Sequence, residues 1–288
     1  MHLDDPYAVP GVYRKAQLHA HTRRSDGRFE PLELARRYRD AGYAFLCFTD
    51  HEVVTRCDEL NDGAFLALPG VEEAVGWGPL PLGPHLGRLL VDRPSEGGGA
   101  AERVARTLAD GGVPSLHHPS WNGNLWTGGW TAAAAAALPG PYLIEIWNPH
   151  SAPAEDLRRW ARASRARGPS ARITAVAADD CHGTVQFDRG WVMVKVQELS
   201  AAALRRALLG GACYASTGVV AEFGAAGGAV VARAEADLVL FFDADGRERA
   251  RATGGTGRYA PEGDEGFVRV ECRAGERRAW SQAFWVLP

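Results

Sequence analysis

Short apolar runs that end in a histidine or an acidic residue recur along the first 218 residues of this chain. Nine side chains able to bind metal stand at or just beyond such ends: His19, His21, Asp26, His51, Glu72, His85, His118, Asp180 and His182. Imidazole together with carboxylate is a ligand set for Zn, Mn or Fe. The pairs His19-Ala20-His21 and Asp180-Cys181-His182 lie about 160 residues apart. A fold that gathers these ends makes a multinuclear metal hydrolase. A fold that does not leaves nine scattered surface residues.

The runs alternate with helical patterns. Ala16–Ala20, Phe45–Thr49, Ala64–Val71, Leu86–Val91, Val113–His117, Tyr142–Trp147, Ile173–Ala178 and Trp191–Val196 read as strands. Glu30–Ala41 reads as a helix, with Leu32, Ala35 and Tyr38 on one face, Pro31 in the first turn and Gly42 at C′. Ala100–Ala109, Thr131–Leu138, Ala154–Ala166 and Ala201–Leu209 read as further helices, the last capped by Ser200. Strand–helix alternation predicts an α/β fold, a parallel sheet with covering helices. Near Gly218 the pattern changes to alternating runs separated by Gly- and Asp-rich turns, an all-β signature. Residues 1–218 are thus expected to form the main domain. Residues 219–288 form a small sandwich-like extension that needs its neighbour to cover one face. That extension packs on the main domain or makes a homo-oligomer contact.

Composition narrows the function. The 32 Lys and Arg against 35 Asp and Glu leave a net charge of −3, so no extended nucleic-acid partner is expected and a small-molecule substrate is. The N-terminus has no apolar core of a signal peptide. No apolar stretch reaches membrane-spanning length. Five cysteines, an odd number without a CxxC, read as free thiols of a reducing, cytoplasmic setting.

In a parallel α/β barrel, residues just past the strand C-termini gather on one rim. His19 and His21 alternate on one strand end, so they point to the same side. An HxH alone is weak: nine histidines give about 0.3 by chance. The full series in this order, each at a strand end, is specific.

His19-Ala20-His21-Thr22, Ser25-Asp26-Gly27, Thr49-Asp50-His51, Pro69-Gly70-Val71-Glu72, His118-Pro119 and Asp180-Cys181-His182 together resemble the sequential motifs of the polymerase and histidinol phosphatase (PHP) superfamily. Leu204–Gly218 and Ala279–Val286 resemble the CehA/McbA-like branch, which carries a C-terminal β extension. The resemblance implies a distorted (β/α)7 TIM-like barrel with two to three divalent metal ions. It implies a first site of His19, His21, Glu72 and Asp180, and a second of bridging Glu72, His85 and His118. A third would take Asp26, His51 and His182. His117 is a rival to His118, and the family pattern favours the histidine before proline.

Ions so held would make a bridging hydroxide near neutral pH and polarise a phosphoryl or carbonyl oxygen. Asp50, Asp179 and His150 are candidates for proton transfer or for orienting a ligand imidazole. Glu145 and Asn148 end a strand on the same rim, where they line the site or make a strand-end hydrogen bond. The Trp-rich loop Trp121–Trp130, with Trp121 and Trp126, either stacks on a substrate ring or packs on itself. Arg23, Arg24 and Arg189 either clamp a phosphate or are exposed charges. Three functions follow: a metal-dependent phosphoesterase, a carbamate or carboxylic ester hydrolase, and a metal-containing binding module without turnover. A convergent cation favours phosphate, and an apolar Trp-lined pocket favours a neutral ester.

Overall fold

A computed structural model describes residues 2–76, 82–121, 124 and 126–288. The chain enters through β1 (His2–Asp4) and β2 (Val12–Gln17), followed by α1 (Pro31–Asp40), β3 (Phe45–Cys47), β4 (Leu66–Leu68), β5 (Gly70–Ala74) and β6 (Gly83–Leu89). Next come α2 (Ala100–Ala109), β7 (Val113–Leu116), β8 (Thr127–Gly128), α3 (Ala132–Ala136), β9 (Tyr142–Trp147), α4 (Pro153–Arg167) and β10 (Ile173–Ala177). Then follow β11 (Trp191–Val196), α5 (Ala201–Gly210) and β12 (Cys213–Ser216). The rest is all strand: β13 (Ala221–Ala226), β14 (Ala229–Ala234), β15 (Leu238–Phe242), β16 (Glu248–Thr253), β17 (Thr256–Tyr259), β18 (Phe267–Ala274), β19 (Arg277–Trp280) and β20 (Phe284–Leu287). The local signals act as read. Pro31 opens α1, Gly42 follows it with φ +80°, and the Ser200 hydroxyl accepts from Ala203 N at 3.1 Å.

The protein is mixed α/β, and its sheets depart from the all-parallel expectation. β2, β3 and β4 are parallel neighbours, as are β7, β9 and β10. β6 runs antiparallel to both β5 and β7, and β11 runs antiparallel to β2 and β12. β5 and β6 are joined without a helix among the described residues, a connection that lets the chain return as an antiparallel neighbour. Connectivity does not decide every pair: β6 and β7, with α2 between them, and β11 and β12, with α5 between them, are also antiparallel, while β3 and β4 are parallel with no helix between.

Nor do the strands close into one hydrogen-bonded barrel among the described residues. One path runs β10-β9-β7-β6-β5, and the other carries β12-β11-β2-β3-β4. The two meet only through single bridges, Ala20 to Cys181 and His51 to Glu72. Where the ladders stop, Glu52, His118 and Asp180 have positive φ (+56°, +28° and +47°). Such backbone leaves the extended region and cannot continue a ladder.

The eleven-stranded sheet does not end at Gly218. β12 pairs with β19, which pairs with β18, and β18 with β20. β13, β14 and β17 form a separate small sheet. In β18, Val268, Val270 and Cys272 enter the β-rich core, while Phe267 points the other way and meets Trp160 of α4 at 5.7 Å. Gln282 fastens this tail to β10: its Oε1 accepts from Ala175 N, and its Nε2 donates to Ala175 O, both at 2.8 Å. The same Nε2 donates to Cys213 O at 3.1 Å. All five cysteines are buried free thiols, and among the described residues no helix is long and apolar enough to cross a membrane.

Gln282→Leu keeps the volume but strips the side-chain partner from two buried backbone groups, Ala175 N and Ala175 O, while Cys213 O keeps Tyr7 OH. Each unpaired group costs about 1–3 kcal/mol, so urea denaturation should show a lowered midpoint. An unchanged midpoint would mean that Gln282 does not fasten the tail.

Candidate metal centre

The end of β2 is pinned by backbone bonds before any ligand is counted. The Gln17 amide oxygen accepts from Leu18 N, His19 N and Asp179 N. Ala20 N donates to the Thr49 hydroxyl, and His21 N to Cys181 O at 3.0 Å. His19 and His21 therefore point to one side, with their Nε2 atoms 3.1 Å apart.

Asp180 Oδ1 lies 3.2 Å from both Nε2 atoms. Glu72 Oε1 lies 3.3 Å from His19 Nε2, and its Oε2 lies 3.4 Å from His21 Nε2. Ligand atoms about 2.1 Å from a shared tetrahedral ion are roughly 3.4 Å from one another, so the spacing fits a metal. Glu72 is the hub. Its Oε1 also lies 3.2 Å from His85 Nδ1, 3.3 Å from His118 Nε2 and 2.7 Å from His117 Nδ1, and its Oε2 lies 3.1 Å from His51 Nδ1. On the outer side, Asp26 Oδ2 lies 3.2 Å from His182 Nε2 and 3.5 Å from His51 Nε2, and its Oδ1 is 3.6 Å from His21 Nδ1. The structure thus brings all nine candidate ligands into one cluster.

The electrostatics are those of a cation-binding pocket. Burial raises the pKa of the Glu72 and Asp180 carboxyls, but the surrounding imidazoles outweigh it and hold both well below the usual range. Burial lowers His19, yet Asp180, Glu72 and Glu145 carry it well above an ordinary histidine. His182, also disfavoured by burial, is lifted to about 9 by Asp26 and Asp180, while burial wins at His21 and takes it to about 4. Asp180 Oδ1 and His85 Nδ1, both facing the cluster, are buried and have no hydrogen-bond partner among the described residues. Buried lone pairs that converge without donors fit a divalent ion.

Other residues take roles different from those expected. Asp50 accepts from Thr22 N, Thr22 Oγ1, Ser25 Oγ and Thr55 Oγ1, and so holds the loop that carries Asp26. Asp179 accepts from Tyr38 OH and from the amides of Asp188, Arg189 and Gly190, and burial lifts it to about 6. Neither carboxylate bonds an imidazole. Glu145 does: its Oε1 accepts from His19 Nδ1 at 2.8 Å, and its Oε2 accepts from His118 N at 2.6 Å and Asn148 Nδ2 at 2.8 Å. Asn148 also reaches Asp180 Oδ2 at 3.3 Å. His117, weighed only as a rival to His118, enters beside it, its ring stacked 3.7 Å from that of His19. The doubled histidine before Pro119 was the signal.

The walls are aromatic. The Trp121 ring lies 4.9 Å from His118 and 5.7 Å from His150, and His150 lies 5.9 Å from His182. Trp130 is buried and donates to His85 O, whereas Trp126 is 67% exposed. Residues 122, 123 and 125 of this loop, and 77–81 before His85, lie outside the described residues. Arg23, Arg24 and Arg189 are exposed, and Arg23 pairs with Glu30 at 3.2 Å. Among the described residues, none of the three bonds a side chain of the cluster.

No family model matches the chain, and no curated protein matches it in sequence. Solved structures do match. A two-domain protein from Bacteroides vulgatus containing a predicted PHP-like metal-dependent phosphoesterase aligns over 98% of this chain and 90% of its own, at 16% identity and a TM-score of 0.54. A protein from Bifidobacterium adolescentis assigned as a metal-dependent phosphoesterase aligns over 68% and 96%, at 15% identity and a TM-score of 0.42. An amidohydrolase from Chromobacterium violaceum aligns over 58% and 87%, at 17% identity and 0.39. The Bacteroides likeness shows a fold shared along nearly the whole chain, β extension included.

Glu145→Gln should weaken metal retention roughly 10–100-fold in chelator competition, because it loosens His19 without removing a ligand. Glu72→Gln should lower the bound metal itself, read by elemental analysis after desalting. Equal retention in both variants and the parent would refute the ligand and positioning assignments.

Proposed function

We propose that the chain is a PHP-superfamily hydrolase that cuts phosphate esters of small molecules or nucleotides with two to three divalent ions, Zn, Mn or Fe. The observation that carries this reading is Glu72, a buried carboxylate with imidazoles around both oxygens. It joins His19, His21 and Asp180 on one side to His85 and His118 on the other. Asp26, His51 and His182 make the third group. Ions bound there would supply an activated water and an electrophile for the phosphoryl oxygen.

The chain's own residues do the rest. Glu145 fixes the His19 ring, and Asp50 and Asp179 hold the loops that frame the cluster. His150, whose Nε2 is buried beside Trp121 with no hydrogen-bond partner among the described residues, would pass a proton to the leaving oxygen. Arg23, Arg24 and Arg189 would meet phosphate charge at the mouth. The buried free thiols support work in a reducing cytoplasm.

A carbamate or carboxylic ester hydrolase is the second reading. It is favoured by the Trp121 wall against His118 and by the exposure of all three arginines, as well as by the CehA/McbA-like motifs.

A panel of phosphate mono- and diesters, aryl esters and carbamates, run with Mn and with Zn, separates the two. Phosphate ester turnover should fall at least ~10²-fold in His19→Ala. Turnover confined to carbamates or aryl esters would move the protein to the second reading. Full activity in His19→Ala, or none at all in metal-loaded protein, would overturn the site.

A further inference from the structure

A second built site lies away from the metal centre, between α4 and the sheet of β15 and β18. The cavity there is about 430 Å³. On β18, Arg269, Glu271 and Arg273 share the face opposite to the valines, by the period of two. On α4, Arg158, Arg162 and Arg165 are spaced by four and three residues and share one helical face. All six line the cavity. Two rows of guanidinium groups therefore face each other across it.

The carboxylates present do not balance them. The lining holds five arginines against Asp245 and Glu271. Asp245 is taken by Arg165, and Glu271 by Arg273 at 2.6 Å and Arg278 at 3.6 Å. Arg158 pairs with Glu155 of its own helix at 2.8 Å. Arg162 and Arg269 are thus the lining arginines without a close carboxylate among the described residues. Of the two, Arg269 is buried. It is 6% exposed, its Nε and Nη1 have no hydrogen-bond partner among the described residues, and Glu271 Oε2 is 3.9 Å from Nη1. The Phe242 ring, 4.3 Å from its Cζ, supports one face of the guanidinium but accepts no hydrogen bond from its edge. A guanidinium stays protonated, and a buried charge without a partner is costly. Oxyanions match its donors in charge and geometry.

We propose that this cleft binds a small oxyanion ligand, through a phosphate or carboxylate group held on Arg269 and flanked by Arg162 and Arg273. The site uses no residue of the metal centre and does not depend on what that centre hydrolyses. It joins α4, which packs on β9 and on β10, the strand that leads to Asp180, to the C-terminal strands.

Calorimetric titration of the full-length, metal-loaded protein with inorganic phosphate, and separately with citrate at matched ionic strength, tests it. One saturable equivalent should weaken roughly tenfold in Arg162→Gln and be lost in Arg269→Gln. Phosphate held at the metal centre remains in both variants and serves as the internal reference. The anion whose equivalent is lost identifies the group. Arg162 is exposed and unbonded among the described residues, so its variant keeps the test alive if Arg269→Gln fails to fold. No saturable equivalent for either anion, or an equivalent unchanged in Arg162→Gln, would overturn the proposal.

Discussion

The structure turns on one buried carboxylate. Glu72 is 1% exposed and reached by six imidazoles, from His19, His21, His51, His85, His117 and His118. A lone carboxylate moved from water to such a place carries a penalty of several kcal/mol, and the imidazoles offset it only when protonated or when they share a cation with it. Protons on the imidazoles repel one another across 3–5 Å, which is why burial can win at one ring, His21, while its neighbour His19 moves the other way. A divalent ion would resolve the conflict, because it would neutralise the carboxylates and bind neutral imidazoles at once.

This constraint explains why the fold is irregular where it is. The strands that deliver ligands would, if they stayed extended, pair with one another and turn alternate side chains outward. Instead the backbone breaks at His118 and Asp180 into positive φ, and the two sheet paths touch through single bridges beside the cluster. Backbone strain of this kind persists only where the surroundings over-determine it. Here the Gln17 amide, the Thr49 hydroxyl and Glu145 supply that determination through bonds to main-chain groups.

The clustering residues were legible in the sequence as candidate ligands because they stand at the ends of apolar runs, where the chain must leave a strand. Element types were legible for the same reason, from periodicity and caps. Strand direction was not: β6 and β11 look like any other apolar run, and the intervening helices do not fix it, since β3 and β4 are parallel with none between them while β6 and β7 are antiparallel with α2 between them. The supporting residues were hidden differently. Asp50 and Asp179 adjoin ligands in sequence, yet alternation along an extended chain sends neighbours to opposite sides, toward loops rather than imidazoles. Glu145, 126 residues from His19, reaches it because β9 and β10 are parallel neighbours and β10 ends against the end of β2. No local signal carries that contact.

The C-terminal strands bear on the site through the same geometry. β10 leads directly into Asp179, Asp180 and His182, and the Ala175 main chain within it is bonded on both its N–H and its C=O by the Gln282 side chain. Gln282 N in turn donates to Tyr7 OH at 2.7 Å, and Tyr7 OH to Cys213 O at 3.2 Å, so one buried network ties the N-terminal segment, β12 and the tail to the strand that presents Asp180. Because β19 also extends the sheet through β12, the composition change at Gly218 marks a change of pattern and not a break in hydrogen bonding. Loss of the tail would expose one side of β10 and free the loop that holds two of the nine candidate ligands. The extension is therefore part of what positions the cluster, even though it contributes none of the nine residues.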